Sequence, residues 1–109
     1  MARILVGEPH PDLRRLLETI VRRVGHEPVS SPELNGDAPD LIIVEPASAY
    51  HVAEASRLRE RFRNLPIICT SILPPGDEAR ALEPSVYLIK PFRLSELQRA
   101  ITFSLPHVA

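Results

Sequence analysis

The apolar residues of the chain follow two patterns that alternate along its length. Short, uninterrupted apolar runs bounded by proline, glycine or charged residues are typical of strands buried on both faces of a sheet. One further candidate is weaker, because Pro28 cannot donate to a strand ladder and suits only an edge. The predicted strands are Arg3–Gly7, 27–30, Leu41–Val44, 66–71 and 85–89.

Between these runs, apolar residues recur every three or four positions, which is the spacing of an amphipathic helix. The pattern is most regular over residues 12–24, where Pro11 suits the first turn and Gly25 the position just after the helix. The other repeats are shorter or less regular. The predicted helices are 12–24, 47–63, 77–82 and 93–105, and Pro106 follows the last of them.

This alternation of strands and helices predicts an α/β domain with a parallel sheet and helices on both faces. Residues 1–109 are expected to form one such domain, since this length supports a single core. Residues 31–39 contain turn formers and one large apolar residue, so they predict a loop in place of a helix. Such a loss would expose the sheet around Val29 and Leu34 unless a loop covers it. We expect one of the faces left by the shortened second and fourth helices to expose apolar surface and to mediate dimerisation or partner docking.

Charge and cysteine content narrow the class of protein. The 13 basic and 14 acidic residues nearly balance, so neither nucleic acid nor a membrane is expected as a partner. The apolar pattern begins at Ile4 and no run is long enough to span a bilayer, which predicts neither a signal peptide nor a membrane anchor. Cys69, the only cysteine, is expected to be a core residue. A cytoplasmic location is the corresponding prediction.

Two charged residues stand at the ends of predicted strands. Glu45 directly follows the Leu41–Val44 strand, at the edge where open α/β sheets place their ligand crevice. Lys90 follows the last strand and is the only lysine, whereas the other twelve basic residues are arginines. Either this is chance in an arginine-rich composition, or the position needs a compact ammonium that arginine cannot replace.

Four segments resemble the receiver domain of two-component response regulators, the CheY-like family. They are similar to the family's first strand and acidic loop, its third strand, its fourth strand, and its fifth strand with a Lys-Pro motif. The resemblance covers nearly the whole chain and implies a flavodoxin-like, doubly wound sheet of five parallel strands in the order 2-1-3-4-5. Here the second and fourth helices are predicted to be shortened or lost. The four segments are residues 3–14, 39–45, 66–71 and 87–92.

The resemblance also implies roles for individual positions. In the family, an aspartate after the third strand accepts a phosphoryl group from a histidine kinase, and two acids after the first strand help to bind Mg²⁺. A Ser or Thr and a Lys contact the phosphoryl oxygens, an aromatic residue changes rotamer, and the Lys-Pro bond is cis. The matching positions here are Glu45 for the acceptor, Glu8 and Pro9 for the acidic pair, Ser71, Lys90, Tyr87 for the aromatic residue, and Pro91 for the cis-proline.

Two of these positions depart from the family pattern. Pro9 has no side-chain oxygen, so one ligand for Mg²⁺ is missing. Glu45 carries its carboxylate one methylene further out, roughly 1.5 Å, and phosphoryl transfer is sensitive to misplacement on that scale. We therefore expect no Mg²⁺ or other cofactor. The longer side chain predicts a charge-assisted contact of Glu45 with Lys90 and the Ser71 hydroxyl.

These departures favour a pseudo-receiver, a stand-alone domain of two-component signal transduction that acts as a phosphorylation-independent interaction module and not as an enzyme. Its expected partner is a protein, either a histidine kinase or a second copy of the chain. The alternative is a working phosphorelay receiver, with Glu45 or another residue as the acceptor. A nucleotide- or flavin-binding enzyme is disfavoured, because Gly7 stands alone where a glycine-rich phosphate loop would be needed.

Three side chains keep two interpretations on sequence alone. Glu8 is either the remnant of an acidic site or a solvated loop carboxylate. Ser71 is either part of a switch or the partner in a local hydrogen bond that ends a strand. Tyr87 is either a half-buried packing residue or a group that changes rotamer.

The four histidines, at positions 10, 26, 51 and 107, lack the spacing of metal ligands, so no built metal site is expected. His10 is the one histidine that could replace the missing acid, although imidazole suits transition metals better than Mg²⁺. His51 is expected to be solvated.

Overall fold

The computed structural model describes residues 1–105 of the chain, so the expectations for Pro106 and His107 lie outside the described residues. Strands and helices alternate from the first element to the last. In chain order the elements are β1 Arg3–Gly7, α1 Pro11–Arg23, β2 Glu27–Val29, α2 Ser31–Leu34, β3 Leu41–Val44, α3 Ala49–Arg61, β4 Ile67–Ser71, α4 Asp77–Ala81, β5 Val86–Ile89 and α5 Leu94–Ser104.

The five strands form one parallel sheet in the order β2-β1-β3-β4-β5, which confirms the predicted flavodoxin-like topology. β3 lies in the middle, and all four of its residues are buried, because helices cover both faces of the sheet. β1 and β3 are in register at their carboxyl ends, where Gly7 lies opposite Val44. The residues that follow these two strands therefore leave the sheet side by side.

Two apolar layers fill the space between the sheet and its helices. On one face, Leu17 and Val21 of α1 and Leu97 and Ile101 of α5 pack against alternate strand residues. On the other face, α2, α3 and α4 cover Ile42, Val44, Ile67 and Cys69. Cys69 is fully buried, as the sequence predicts, and burial raises the pKa of its thiol to about 12.

The prediction of a loop at residues 31–39 is wrong for Ser31–Leu34, which form a single helical turn, α2. The carboxylate of Glu33 accepts hydrogen bonds from the amide and the hydroxyl of Ser30, and Asn35 ends the turn in a left-handed conformation with φ 49°. One apolar residue in one turn produces no helical repeat, so hydrophobic periodicity could not detect it. The Ser30-x-x-Glu33 capping pattern was the available signal.

This turn covers the face of the sheet that would otherwise be exposed. Leu34 points into the core beside Val29, and both side chains are buried. The short helix therefore covers this part of the sheet through one leucine. The large apolar side chains that are exposed lie elsewhere: Met1, Leu16, Tyr50, Ile72, Leu73, Ile89, Leu94 and Phe103.

The longer helices agree with the predicted ones apart from their ends. α1 begins at Pro11 with His10 as its N-cap, and Gly25 takes a positive φ of 91° just after its end. α3 begins at Ala49, two residues later than predicted, because Ala47 belongs to a turn that binds back to Glu45. α4 is five residues long, as short as the sequence predicts. Within residues 1–105, no helix has the length and apolar character needed to cross a bilayer.

Replacing Leu34 by alanine should lower the free energy of unfolding by about 2–4 kcal/mol, because it removes a buried side chain and leaves a cavity beneath α2. Urea denaturation followed by circular dichroism measures this change. Leu73→Ala is the matched control, since Leu73 is exposed and its loss should cost no more than about 0.5 kcal/mol. Equal effects of the two substitutions would show that α2 does not close the core.

Candidate functional site: an ion-paired cluster at the carboxyl edge of the sheet

Three charged side chains meet at the carboxyl edge of the sheet. Glu8 follows β1, Glu45 follows β3, and Lys90 follows β5. The ammonium Nζ of Lys90 lies 2.8 Å from Oε1 of Glu8 and 2.9 Å from Oε1 of Glu45. Both carboxylates are buried, with 3% and 7% of the residue exposed respectively. The predicted Glu45–Lys90 contact is therefore present, and Glu8 joins it as a second partner.

The second oxygen of each carboxylate binds the backbone of its own loop. Oε2 of Glu8 accepts a hydrogen bond from the amide of His10 at 3.0 Å, and Oε2 of Glu45 accepts one from the amide of Ala47 at 3.1 Å. Each acid thus fixes the turn that leads from its strand to the next helix. All four carboxylate oxygens have a donor from the chain.

The cluster holds two carboxylates and one ammonium in a mostly buried setting. Burial acts to lower the pKa of Lys90, but the hydrogen bonds and charges of Glu8 and Glu45 outweigh it, so the pKa is raised above the ordinary lysine value. A compact ammonium with three donors can serve two acids converging from different loops, whereas the flat fork of an arginine suits one carboxylate. This geometry favours the second interpretation of Lys90, in which the position needs a compact ammonium.

Ser71 does not join the cluster, contrary to the prediction that Glu45 would reach its hydroxyl. Its Oγ accepts a hydrogen bond from the amide of Leu73 at 3.2 Å, so it closes a local turn after β4. The backbone carbonyl of Ser71 accepts from the amide of Lys90 at 2.8 Å, which anchors the lysine through the main chain only. The local interpretation of Ser71 is the one that the structure supports.

Tyr87 is half-buried on β5, and its hydroxyl donates to the carbonyl of Leu73 at 2.6 Å. Leu73 is therefore held on both sides, by Ser71 through its amide and by Tyr87 through its carbonyl. The ring packs against the core on the α3 and α4 side of the sheet. In this conformation Tyr87 connects β5 to the loop after β4.

The peptide bond between Lys90 and Pro91 is cis, as the resemblance predicts.

The histidines within the described residues have structural partners. Nδ1 of His10 accepts from the amide of Leu13 at 3.4 Å and caps α1, and Nδ1 of His26 accepts from the amide of Ala2 at 3.0 Å. The expectation that His51 is solvated is wrong, because its Nδ1 lies 2.7 Å from Oγ of Ser48 and its ring packs over Gly7. Among residues 1–105 no group of three or more His, Cys, Asp or Glu side chains could hold a metal.

The residues of the cluster do not fit Mg²⁺. This ion prefers several oxygen ligands in near-octahedral geometry. Glu8 and Glu45 already share the Lys90 ammonium. Pro9, which follows Glu8, offers no side-chain oxygen. A divalent ion at this point would have to share both carboxylates with the Lys90 ammonium and would lack an oxygen ligand at Pro9.

Sequence reasoning placed Glu45 and Lys90 correctly but left Glu8 between a solvated and a functional role. The signal that decides it is the strand order, because β1 and β3 are neighbours and the acids that follow them must emerge together. The structure excludes the solvated interpretation, because Glu8 is buried with its carboxylate 2.8 Å from the Lys90 ammonium.

Among known proteins, no family model and no curated sequence matches the chain. Solved structures do match. The chain has a TM-score of 0.82 to the chemotaxis protein CheY4 of Vibrio cholerae, at 17% identity over 96% of this chain and 99% of that one.

Two further structures are similar over nearly their whole length. The response regulator TrrA of Thermotoga maritima, solved in complex with Mg²⁺-BeF, has a TM-score of 0.81 at 22% identity, with 96% of this chain and 100% of that one covered. The receiver domain of a sensor histidine kinase from Pseudomonas aeruginosa, solved with a magnesium ion, has a TM-score of 0.75 at 23% identity, with 94% and 96% covered. The structural neighbours are thus response regulator receiver domains, and at these identities the likeness establishes the fold.

Replacing Lys90 by methionine should lower the free energy of unfolding by roughly 3 kcal/mol, because it leaves two buried carboxylates without their cation. Urea denaturation at neutral pH measures the loss. Arg80→Met is the matched control, since it removes the partner of Asp77 in an exposed pair at 3.6 Å and should cost less than about 0.5 kcal/mol. If both substitutions cost the same, Lys90 does not hold the loops together.

The stabilisation by Lys90 should also depend on pH in the alkaline range. Because its pKa is raised in the folded state, the stabilisation is fully present below the unfolded lysine value of about 10.4 and is lost as the pH rises through the folded pKa. The gap in unfolding free energy between the protein and Lys90→Met should be constant from neutral pH to about pH 10 and narrow above it. A gap that narrows between pH 7 and 9 would contradict the raised pKa.

Proposed function

We propose that the domain is a receiver-like signalling module that binds a protein partner without being phosphorylated and without catalysing a reaction. The observation that carries the proposal is the position of the Lys90 ammonium, 2.8 Å and 2.9 Å from the carboxylates of Glu8 and Glu45. The resemblance gives these three residues to the acceptor, one acid of the metal-binding pair and the phosphoryl-contacting lysine, and here they bind one another directly.

The extra methylene of Glu45 supports this proposal. From the end of β3 this side chain reaches the Lys90 ammonium through Oε1, and its Oε2 accepts a hydrogen bond from the amide of Ala47. Both carboxylate oxygens are therefore engaged. A carboxylate in this arrangement is stabilised as an anion by two donors and is not free to attack phosphorus in line. Pro9 adds a second reason, because it supplies no oxygen to a metal that would spread the charge of a transferred phosphoryl group.

The second candidate is a phosphorelay receiver, and one observation favours it. A cavity of about 560 Å³ opens onto Glu8, Glu45 and Lys90 from the side of His10 and Ile72. A small phosphodonor could enter this space if the ion pairs opened. The solved neighbours that contain magnesium, or Mg²⁺ with BeF, belong to the same fold.

Beryllofluoride and Mg²⁺ separate the two candidates. We expect amide chemical shifts of Glu45, Ser71 and Lys90 to stay unchanged when both are added, and intact mass after incubation with acetyl phosphate and Mg²⁺ to show no added phosphoryl group. The double variant Pro9→Asp, Glu45→Asp is the matched control, because it restores the short acid and the missing oxygen. It should respond to the same titration.

The phosphorelay receiver would be established instead by saturable changes in the amide chemical shifts of the cluster residues in the unmodified protein. A phosphorylated species in its mass spectrum would establish the same. Glu45→Gln gives an independent check, because it weakens the hold on Lys90 while keeping the shape of the side chain. If that variant leaves both partner affinity and the Tyr87 resonances unchanged, the cluster does not set the state of the domain.

A further inference from the structure

An apolar groove of about 560 Å³ runs along one side of α1, between this helix and the loop that leads into α5. Several of its large apolar side chains face solvent. Leu16 is 55% exposed and Ile72 is 70% exposed, and Leu94 lies at the far wall. Exposed leucine and isoleucine side chains on one continuous groove are the usual mark of a protein interface.

The edge of α1 that borders the groove carries an ordered set of residues. Asp12, Leu16, Thr19 and Arg23 are spaced by four, three and four positions, so they lie in one line along the helix. All four are exposed, and Leu16, Thr19 and Arg23 line the groove directly. We call this line the α1 ridge. It has an acid at its first position, an apolar and a small residue in the middle, and a base at its last position.

The α1 ridge is complementary to itself when it is reversed. In an antiparallel arrangement about a two-fold axis, Asp12 of one copy meets Arg23 of the other, and Leu16 meets the smaller Thr19. Each contact occurs twice, because a two-fold interface is formed by the same patch on both copies. Asp12 pairs with Arg15 at 3.1 Å in the single chain, but its side chain is 82% exposed and stays accessible to a second cation.

Charge supports the same arrangement beyond the ridge. The groove continues past Leu13 and Leu16 into the cleft that contains Asp12 and the ion-paired cluster, in which two carboxylates outnumber one ammonium, so this end of the groove is acidic. A basic side chain of a partner suits the acidic end at Asp12, and an acidic side chain suits the opposite end at Arg23. The antiparallel ridge of a second copy places its own Arg23 at the first end and its own Asp12 at the second.

We propose that α1 is a homodimerisation surface, on which two copies of this chain pack their α1 ridges antiparallel with Asp12 paired to Arg23 and Leu16 inserted into the groove of the partner. The inference names the partner of the proposed interaction module and to that extent rests on the proposed function. α1 has 13 residues and is therefore about 20 Å long, which gives a small interface. Dimerisation should accordingly depend on concentration in the micromolar to millimolar range.

Charge reversal on the ridge tests the proposal by sedimentation velocity over a concentration series. Asp12→Arg alone and Arg23→Asp alone each place like charges at both ends of the interface, so each variant should dimerise at least about tenfold more weakly than the unmodified protein. A 1:1 mixture of the two variants recreates both opposite-charge contacts in a heterodimer. Its association should return to within about threefold of the unmodified protein.

Glu18→Arg and Arg22→Asp are the matched controls. They make the same changes of charge on the same helix, but away from the α1 ridge. Neither should weaken dimerisation by as much as the ridge variants, and their mixture should gain nothing over each alone. Circular dichroism establishes that all four variants are folded, and Leu16→Gln, at an exposed position, gives a further disruption without a change of charge.

A chain that remains monomeric up to about 1 mM overturns the proposal, and so do ridge variants that dimerise as well as the unmodified protein. A mixture that fails to recover association overturns the antiparallel pairing. These outcomes are separate from the beryllofluoride titration, since a monomer that ignores beryllofluoride refutes the dimer alone and a dimer that responds to it refutes the proposed function alone.

Discussion

The ammonium of Lys90 lies between two buried carboxylates, and this contact determines the shape of the carboxyl edge of the sheet. Three segments far apart in the chain are joined by one cation, and each acid uses its remaining oxygen to bind its own loop. Removing the cation would leave like charges facing each other away from water, which is costly in a protein interior. The loops after β1, β3 and β5 therefore depend on a single side chain.

The same contact connects stability with the proposed function. In the proposed function, the charges of this cluster, and not a covalent modification, select the arrangement of loops that a protein partner meets. Ser71 and Tyr87 belong to a neighbouring set of hydrogen bonds around Leu73 and not to the ion-paired cluster. The two sets meet only through the main chain between Ser71 and Lys90, so the charges and the tyrosine are coupled by backbone position and not by direct side-chain contact.

The α1 ridge is a separate feature that uses the same edge of the molecule. α1 buries one stripe against the sheet and leaves Leu16 and its neighbours at the border of the groove. Because the cleft around Glu8 continues into this groove, the ion-paired cluster contributes to the electrostatic character of the surface. In the proposed dimer, the second copy would lie beside the cluster, because Leu13 and Leu16 line both the groove and the cleft.

Hydrophobic pattern alone determined the strands, the three long helices and the parallel sheet, because periodicity and breakers report burial over many residues at once. It also placed Glu45 and Lys90 at strand ends, where neighbouring parallel strands bring side chains together. Tertiary structure decided the rest. Leu34 of α2 packs into the core beside Val29, Glu8 is buried against the Lys90 ammonium, and the Ser71 hydroxyl accepts from the amide of Leu73. These outcomes depend on distances between segments remote in sequence, which no local pattern contains.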